Sequence, residues 1–134
     1  MDAAIVLLND ELAVHDTGKG EGFVWVELTE VCVYSCYCSR NVDLGIYERF
    51  IAALEADVRL RRKGVIVAGD FNAKAVEWGS PFEDRRGALL TEWINEARMV
   101  VLNQGNRPTF IRNDQKSYID LTICTEGVTE SIKN

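Results

Sequence analysis

The sequence predicts a single α+β domain in which helices pack outside a β-sandwich. Three observations indicate this class: short β-type runs dominate the first part of the chain, two amphipathic helical patterns follow, and an apolar run comes directly after each helical pattern. A chain of 134 residues is one domain at most, and a hydrophobic content of 47% is normal for a globular protein. We therefore expect one domain over residues 1–134.

The first part of the chain predicts an antiparallel meander. Runs of β-type residues occupy positions 3–8, 12–14, 23–28 and 31–37, with turn signals at Asn9-Asp10 and at Gly18-Lys19-Gly20. Apolar residues at mostly four-residue spacing then predict a helix from Ile46 to about Arg62, ended by Gly64. A second helix is predicted over residues 87–98. Further strands are predicted at 65–68, 99–102, 109–112 and 117–124.

Composition excludes several classes of protein. The net charge of −6 argues against broad nonspecific binding of nucleic acid, although it leaves room for a local basic rim. The apolar run at residues 3–8 is far shorter than the ~20 residues of a membrane span and carries no signal-peptide pattern, so we expect no membrane partner.

The four cysteines are Cys32, Cys36, Cys38 and Cys124. They form no C-x-x-C pair, and the single histidine, His15, is distant in sequence, so a zinc site cannot be written. We expect buried, reduced cysteines on strands.

Asp70 and Asn72 follow the apolar run 65–68 within the tetrapeptide Gly69-Asp70-Phe71-Asn72. Side chains two positions apart in an extended segment point to the same side, so Asp70 and Asn72 can face one ligand while Phe71 is buried. An ionised carboxylate suits Mg²⁺ or a water proton, and a carboxamide adds a donor for a phosphate oxygen. The pair suits phosphoester hydrolysis. The same two residues can also end a strand in an Asx-type turn.

Basic residues fall into two groups. The first group ends the first predicted helix, where cations complement the helix dipole, and we interpret it as structural: Arg59, Arg61, Arg62 and Lys63. The second group lies in loops beside strand ends, where ligand contacts are common, and its members are candidates for phosphate contact: Arg40, Arg85, Arg86, Arg107, Arg112 and Lys116.

Several short segments follow one another in an order that is typical of one family. They are Tyr34-Ser35-Cys36-Tyr37-Cys38-Ser39-Arg40-Asn41, Gly69-Asp70-Phe71-Asn72-Ala73-Lys74, Trp78-Gly79-Ser80, Arg86-Gly87, Leu102-Asn103-Gln104-Gly105, Pro108-Thr109-Phe110 and Ser117-Tyr118-Ile119-Asp120-Leu121-Thr122. Together they resemble the endonuclease domain of non-LTR retrotransposon polyproteins, within the endonuclease/exonuclease/phosphatase superfamily. The resemblance covers essentially the whole chain and implies a four-layered α/β/β/α sandwich.

The resemblance also implies roles for individual residues. In such enzymes the aspartate matching Asp70 orients or deprotonates the attacking water, and the asparagine matching Asn72 helps hold the water and the phosphate. The tyrosine matching Tyr37 contacts the scissile phosphate, and Asn41 would lie beside it. The aspartate matching Asp120 orients the catalytic histidine and fixes its tautomer.

The remaining implied contacts are with DNA. Thr109 and Ser117 match hydroxyl residues near the DNA strand, and Arg86 is a further candidate substrate contact. Structural alternatives stay open for these positions, since Tyr37, Thr109 and Ser117 could be ordinary strand residues and Asp120 a strand-bend carboxylate. Trp78 could stack on a base, but we expect it to pin its loop against the core.

The sequence departs from the family pattern at both ends, so the resemblance implies a truncated, incomplete sandwich. The family's Gln-Glu-Pro segment, whose glutamate is the main metal ligand, and its Ser-Asp-His segment have no counterpart here, and His15 is wrongly placed to substitute. The metal ligands are therefore unknown, with Asp70 possible, and we expect impaired or absent cleavage. Missing strands would also leave open sheet edges.

Two hypotheses follow. The first is a DNA endonuclease domain dependent on Mg²⁺ or Mn²⁺, fused to reverse transcriptase and nicking a target site. The second is a non-catalytic relic that at most binds nucleic acid or associates through open sheet edges. A phosphatase of the same superfamily is a weaker alternative, because the Trp78-Gly79-Ser80 and Pro108-Thr109-Phe110 segments look retrotransposon-like. A nuclear location is expected if the chain is expressed within a retrotransposon protein.

Overall fold

Strands and helices alternate through the middle of the chain, as the sequence predicts. The structure, a computed structural model, describes residues 14–102, 110–112, 115–117 and 120–127. Its elements in chain order are β1 (Asp16–Gly20), β2 (Phe23–Glu27), β3 (Val31–Tyr37), α1 (Leu44–Arg59), β4 (Gly64–Asp70), a 3₁₀ turn (Val76–Trp78), α2 (Arg85–Glu96), β5 (Met99–Val101), β6 (Phe110–Arg112), β7 (Gln115–Ser117) and β8 (Asp120–Thr125).

The main sheet has six strands in the order β1-β2-β3-β4-β8-β5, and β6 and β7 pair separately as an antiparallel hairpin. Strands β1, β2 and β3 form an antiparallel meander, in which β2 and β3 match the runs predicted at 23–28 and 31–37 but β1 was not predicted as a strand. Strands β3 and β4 are parallel, because α1 carries the chain back across the sheet between them. Strand β8 then pairs antiparallel with both β4 and β5, which makes the sheet mixed.

One face of the sheet packs against the two helices. On β3 the buried positions alternate, with Cys32, Tyr34 and Cys36 turned into the core. From the helices, Phe50 and Leu54 of α1 and the apolar side of α2 enter the same cluster. An alternating strand and a helix with apolar residues on one side bury these faces against each other, which is the driving force for this layer.

Both helices begin at an aspartate. The side chain of Asp43 accepts a hydrogen bond from the Ile46 amide at 2.8 Å, and that of Asp84 accepts one from the Gly87 amide at 2.7 Å. At the other end of α1, Arg61 donates to Asp57 and to the Tyr34 hydroxyl, which itself donates to Asp57. These contacts join the last turn of α1 to the middle of β3.

Three of the four basic residues at the end of α1 make ion pairs within the protein, and the fourth, Arg62, is exposed. Arg59 pairs with Glu55 and Arg61 with Asp57 along the helix, while Lys63 bonds Glu27 across to β2. These cations therefore hold the last turn of α1 and the start of β4 in place.

Some predicted boundaries are wrong. The segment Gly18-Lys19-Gly20 belongs to β1, because the turn between β1 and β2 uses residues 21–22, where Gly22 has φ of 81°. Helix α1 spans Leu44–Arg59, so it begins before the predicted Ile46 and ends before the predicted end at about Arg62, and Gly64 is already the first residue of β4. The strand predicted at 117–124 is divided between β7 and β8. The predicted strand 3–8, the turn at Asn9-Asp10 and positions 12–13 of the next predicted strand lie outside the described residues, while Val14, the last position of that predicted strand, lies before β1 and outside any strand.

The prediction of buried, reduced cysteines is confirmed, although Cys38 directly follows β3 and does not lie on a strand. All four cysteines fall within the described residues, where they are buried and carry thiols rather than disulfides. In the described part of the chain, neither helix has the length and apolar character needed to cross a bilayer.

Candidate functional site

Three of the predicted site residues come together in one row across the sheet. Tyr37 at the end of β3 pairs in register with Asp70 at the end of β4, and Asp70 pairs with Asp120 at the start of β8. The adjoining row is Cys36, Gly69 and Leu121, and the row after it is Ser35, Ala68 and Thr122. Residues far apart in sequence therefore meet at one end of the sheet, on strands that are directly hydrogen-bonded.

Gly69 allows β3 and β4 to approach each other at this end. Its φ of 146° lies in a region that side chains disfavour, and a Cβ placed there would be 2.0 Å from the carbonyl oxygen of Cys36. The glycine that precedes Asp70 is thus required by backbone geometry, and it fixes the position of the carboxylate that follows.

Asp70 and Asn72 form the Asx-type turn that the sequence left open. The Asn72 amide donates to Asp70 Oδ1 at 3.0 Å, and Asn72 itself has φ of 45°, which asparagine tolerates better than most residues. The extended alternation therefore stops before Asn72, and Phe71 between them is fully buried, as predicted. A turn that orients a carboxylate is also compatible with a catalytic role.

The side chain of Asn72 ties the two strand ends together. Its Nδ2 donates to the Cys38 carbonyl at 2.8 Å, and the Cys38 amide donates to the Asp70 carbonyl at 3.0 Å. Burial raises the pKa of the Cys38 thiol, while the nearby Arg86 guanidinium acts in the opposite direction. Cys38 is consequently a neutral packing residue beneath the site.

The loop between β3 and α1, residues 39–42, is held by Arg86. Its guanidinium donates to the carbonyls of Ser39 at 3.0 Å and Arg40 at 3.3 Å, and also to that of Val42. Asn41 is exposed on this loop, and its amide donates to Ser39 Oγ at 3.1 Å. The structure thus places Arg86 beside Asn41, where its guanidinium donates to backbone carbonyls of the loop.

Tyr37 also lines a groove of about 380 Å³ that opens at the same end of the sheet. The β1–β2 turn, the end of β3 and the first turns of α1 form its walls: Glu21, Gly22, Tyr37, Cys38, Ser39, Val42, Ile46, Arg49 and Phe50. The sequence did not single out Glu21 or Arg49, because only the sheet register brings the β1–β2 turn next to α1. A cation on the first turns of a helix that starts beside a predicted site residue is the one signal that could have found Arg49.

The loop after Asn72 is pinned in the way that we predicted for Trp78. Trp78 is fully buried, and its Nε1 donates to the Ala73 carbonyl at 3.0 Å. Across the base of the loop, Asp84 Oδ1 accepts from the Lys74 amide at 3.0 Å. The exposed aromatic on this loop is Phe82, with the Lys74 ammonium 5.1 Å from its ring centroid.

Other predicted site residues are only partly placed. Thr109 lies outside the described residues, as do Arg107 and residues 118–119. Ser117 is the last residue of β7 in the separate hairpin, and Asp120 is placed by its backbone register alone.

The donor chemistry of the site suits a hard cation held by few protein ligands. Within the described residues there is no group of three or more His, Cys, Asp or Glu side chains that could hold a metal ion. Mg²⁺, however, is commonly held by one or two carboxylates together with waters and substrate phosphates, and Asp70 is a carboxylate at a strand end. Asp70 therefore fits such a site as a single ligand.

Fold and site together define a class of protein. A family model described as "Endonuclease-reverse transcriptase" matches residues 31–134, which include every candidate site residue. The chain belongs to this endonuclease-reverse transcriptase family. More narrowly, it is similar to the solved structure of the endonuclease domain of TRAS1, a telomere-specific non-LTR retrotransposon, with a TM-score of 0.72 and 28% identity over 92% of this chain and 60% of that one.

Two curated relatives agree with this placement. The chain is 33% identical over 104 residues to a putative 115 kDa protein in the type-1 retrotransposable element R1DM of Drosophila melanogaster. It is 32% identical over 104 residues to a retrovirus-related Pol polyprotein from the type-1 retrotransposable element R1 of Bradysia coprophila. Each match covers 71% of this chain but 10% of the relative, so the chain corresponds to a small part of those proteins. The predicted family and fold, a non-LTR retrotransposon endonuclease domain, are confirmed.

Proposed function

We propose that this chain is the DNA-cleaving part of a retrotransposon protein and hydrolyses a phosphodiester bond at a target site. The row Tyr37, Asp70 and Asp120 at one end of the sheet is the observation that carries the proposal. It joins a phenol and two carboxyl residues from three adjacent strands, in a chain whose family comprises endonucleases.

Asp70 is the residue that acts on the attacking water. Its carboxylate accepts the Asn72 amide, which fixes its orientation, and a carboxylate held in this way can accept a proton from water or position it for in-line attack. Tyr37 pairs with Asp70 from the neighbouring strand, and its phenol is the proposed donor to a non-bridging oxygen of the scissile phosphate. Asp120 is the neighbouring carboxyl residue in the row, where it would orient a basic partner.

Cleavage is proposed to depend on Mg²⁺, with Mn²⁺ as a substitute. A divalent cation neutralises charge that develops on the phosphate and on the leaving oxygen. Asp70, a carboxylate at the end of β4, is the residue proposed to help hold it, together with phosphate oxygens of the DNA. Asn41, on the loop beside Tyr37, is the proposed contact to the DNA backbone. Thr109 and Ser117 remain proposed contacts to the DNA strand.

Replacement of Asp70 by Asn tests this function. The substitution removes the charge but keeps an oxygen that can accept the Asn72 amide, so the turn is preserved. We expect Asp70→Asn to reduce nicking of supercoiled plasmid in Mg²⁺ by about 100-fold or more. The measurement is the rate of conversion to open circles, with and without EDTA, and circular dichroism melting of both proteins shows that the fold is retained.

The alternative, a non-catalytic relic, predicts a different result. A folded chain that nicks no faster than its Asp70→Asn variant, in Mg²⁺ or in Mn²⁺, would support that alternative and contradict the proposal. The comparisons favour the nuclease family.

The wider setting is also a proposal. Both curated relatives are long retrotransposon proteins of which this region is 10%, so we propose that the chain acts beside a reverse transcriptase domain and meets its DNA in the nucleus. Copurification with a separately expressed reverse transcriptase segment of the same element would test the first point.

A further inference from the structure

The guanidinium of Arg86 bonds backbone carbonyls, unlike that of an arginine whose donors are available for a phosphate. Its Nη1 donates to the Ser39 carbonyl, and its Nη2 donates to the carbonyls of Arg40 and Val42. The guanidinium also lies over the Tyr47 ring, 4.7 Å from the centroid. Both terminal nitrogens therefore face the main chain of one loop.

The 39–42 loop has a backbone hydrogen bond of its own, from the Val42 amide to the Ser39 carbonyl at 3.4 Å. Residues 39–42 connect β3 to α1, so their carbonyls lie beyond the ladder of the sheet and before the helix. A guanidinium presents several donors in a rigid plane and can bond more than one carbonyl at once, whereas an ammonium is a single point of charge. Arg86 thus supplies hydrogen-bond donors to loop carbonyls that lie outside the ladder of the sheet.

Arg86 is itself fixed in position. It is the second residue of α2, whose first turn is held by Asp84 through the Gly87 and Lys74 amides. A Cβ at Gly87 would be 1.8 Å from the Lys74 carbonyl oxygen, so this turn also packs directly against the chain that leaves Asn72. The first turn of α2 is therefore tied to both strand ends of the site, to β4 through residue 74 and to β3 through Arg86.

We propose that Arg86 is a positioning residue that holds the 39–42 loop, and with it Tyr37 and Asn41, in place beside Asp70. The role in cleavage rests on the proposed function, whereas the hold on the loop does not. This inference replaces the expectation that Arg86 contacts substrate directly. In the structure the terminal nitrogens of Arg86 bond carbonyls of the loop. Replacing Arg86 should therefore loosen the loop and not remove a direct contact to DNA.

Limited proteolysis tests the hold without any DNA. Arg40 is an exposed trypsin site inside the loop, and Arg62, exposed after α1, is a reference site. Arg86→Lys keeps the charge but cannot reproduce the set of carbonyl bonds, so the ratio of cleavage after Arg40 to cleavage after Arg62 should rise about tenfold or more. Arg85→Lys, the same change at the exposed neighbouring position, should leave this ratio unchanged. Because global unfolding would expose both sites, the ratio isolates the loop.

A salt titration separates positioning from direct contact. An arginine that neutralises a phosphate contributes about 1 to the slope of log affinity against log salt concentration. We expect Arg86→Gln and the unmodified chain to bind a fluorescent DNA duplex with the same slope, while nicking by both Arg86 variants falls.

Each result decides the inference. Equal cleavage after Arg40 in the Arg86→Lys variant and the unmodified chain would overturn it, and so would a slope reduced by about 1 in Arg86→Gln. If the chain neither binds nor nicks DNA, the proposed function fails, but the proteolysis ratio still reports whether Arg86 holds the loop.

Discussion

Gly69 shows how a single residue determines where the candidate catalytic carboxylate lies. It has no side chain to separate β4 from the Cys36 carbonyl, and its φ of 146° allows the strand to continue to Asp70 in register with Tyr37. The sequence indicated a strand exit at this point but not this approach of two backbones, because a distance between two strands is not encoded in either strand alone.

Replacement of Gly69 by Ala should destabilise the protein by about 3 kcal/mol or more, since the new methyl group would meet backbone that cannot move aside. Gly45→Ala is the matched control: its Cβ would be 3.4 Å from Asp43 Oδ1, within α1, where alanine is favoured by about 0.5–1 kcal/mol. Urea unfolding of both variants gives the comparison. A Gly69→Ala protein as stable as the unmodified chain would show that β3 and β4 are further apart at this position.

Among the elements, the segment from Asn72 to α2 has more structure than its sequence suggests. Trp78 pins the loop to the Ala73 carbonyl, and Asp84 both begins α2 and bonds the Lys74 amide. The loop is therefore a fixed connection between the strand end of the site and the helix that carries Arg86.

Asp84→Ala should cost about 2 kcal/mol of unfolding free energy, because one side chain satisfies two backbone amides. Asp43→Ala, at the start of α1, removes the side-chain bond to the Ile46 amide and should cost about 1 kcal/mol. Thermal or urea unfolding of the two variants side by side measures the difference, and Asp84→Asn should remain close to the unmodified chain. A larger loss for Asp43→Ala would contradict this account of the loop.

The sequence predicted those elements whose signal is local. Alternating residues on β3 and the four-residue spacing on α1 marked these elements because burial of one face imposes that period. The first strand was missed because Gly18 and Gly20 suit turns, yet a Cβ at Gly18 would be 2.4 Å from the Trp25 ring, so the strand needs glycine to pack on β2. Asp70 was found from its place after an apolar run, whereas the carbonyl contacts of Arg86 depend on tertiary packing that its neighbours in sequence do not record.

For the molecule as a whole, the buried thiols make the unfolding free energy depend on pH. Burial raises the pKa of the thiols of Cys32, Cys36 and Cys38 above the ordinary value of 9.0. Because the folded chain keeps protons that the unfolded chain releases, the stabilising contribution is complete below that value and declines as the pH rises above it.

The contribution of the thiols to the unfolding free energy should therefore be nearly constant from about pH 7 to about pH 8 and fall by up to about 1.4 kcal/mol per pH unit above about pH 9 for each thiol that ionises only on unfolding. Urea unfolding under reducing conditions at about pH 8 and about pH 10 measures this loss. Cys36→Ala, which removes the deeply buried thiol, should make the decline shallower by about one proton. An unchanged slope in that variant would mean that Cys36 does not contribute.

The four buried cysteines can also be used to measure which parts of the domain open first. Cys38 lies beneath the site at the end of β3, Cys32 at the opposite end of that strand, and Cys124 on β8. An alkylating reagent added in short pulses reacts with a thiol only while the surrounding segment is open, so the order in which these positions become labelled is the order in which parts of the sheet separate. Because the proposed DNA-binding site lies at this end of the sheet, we expect Cys38 to be labelled first.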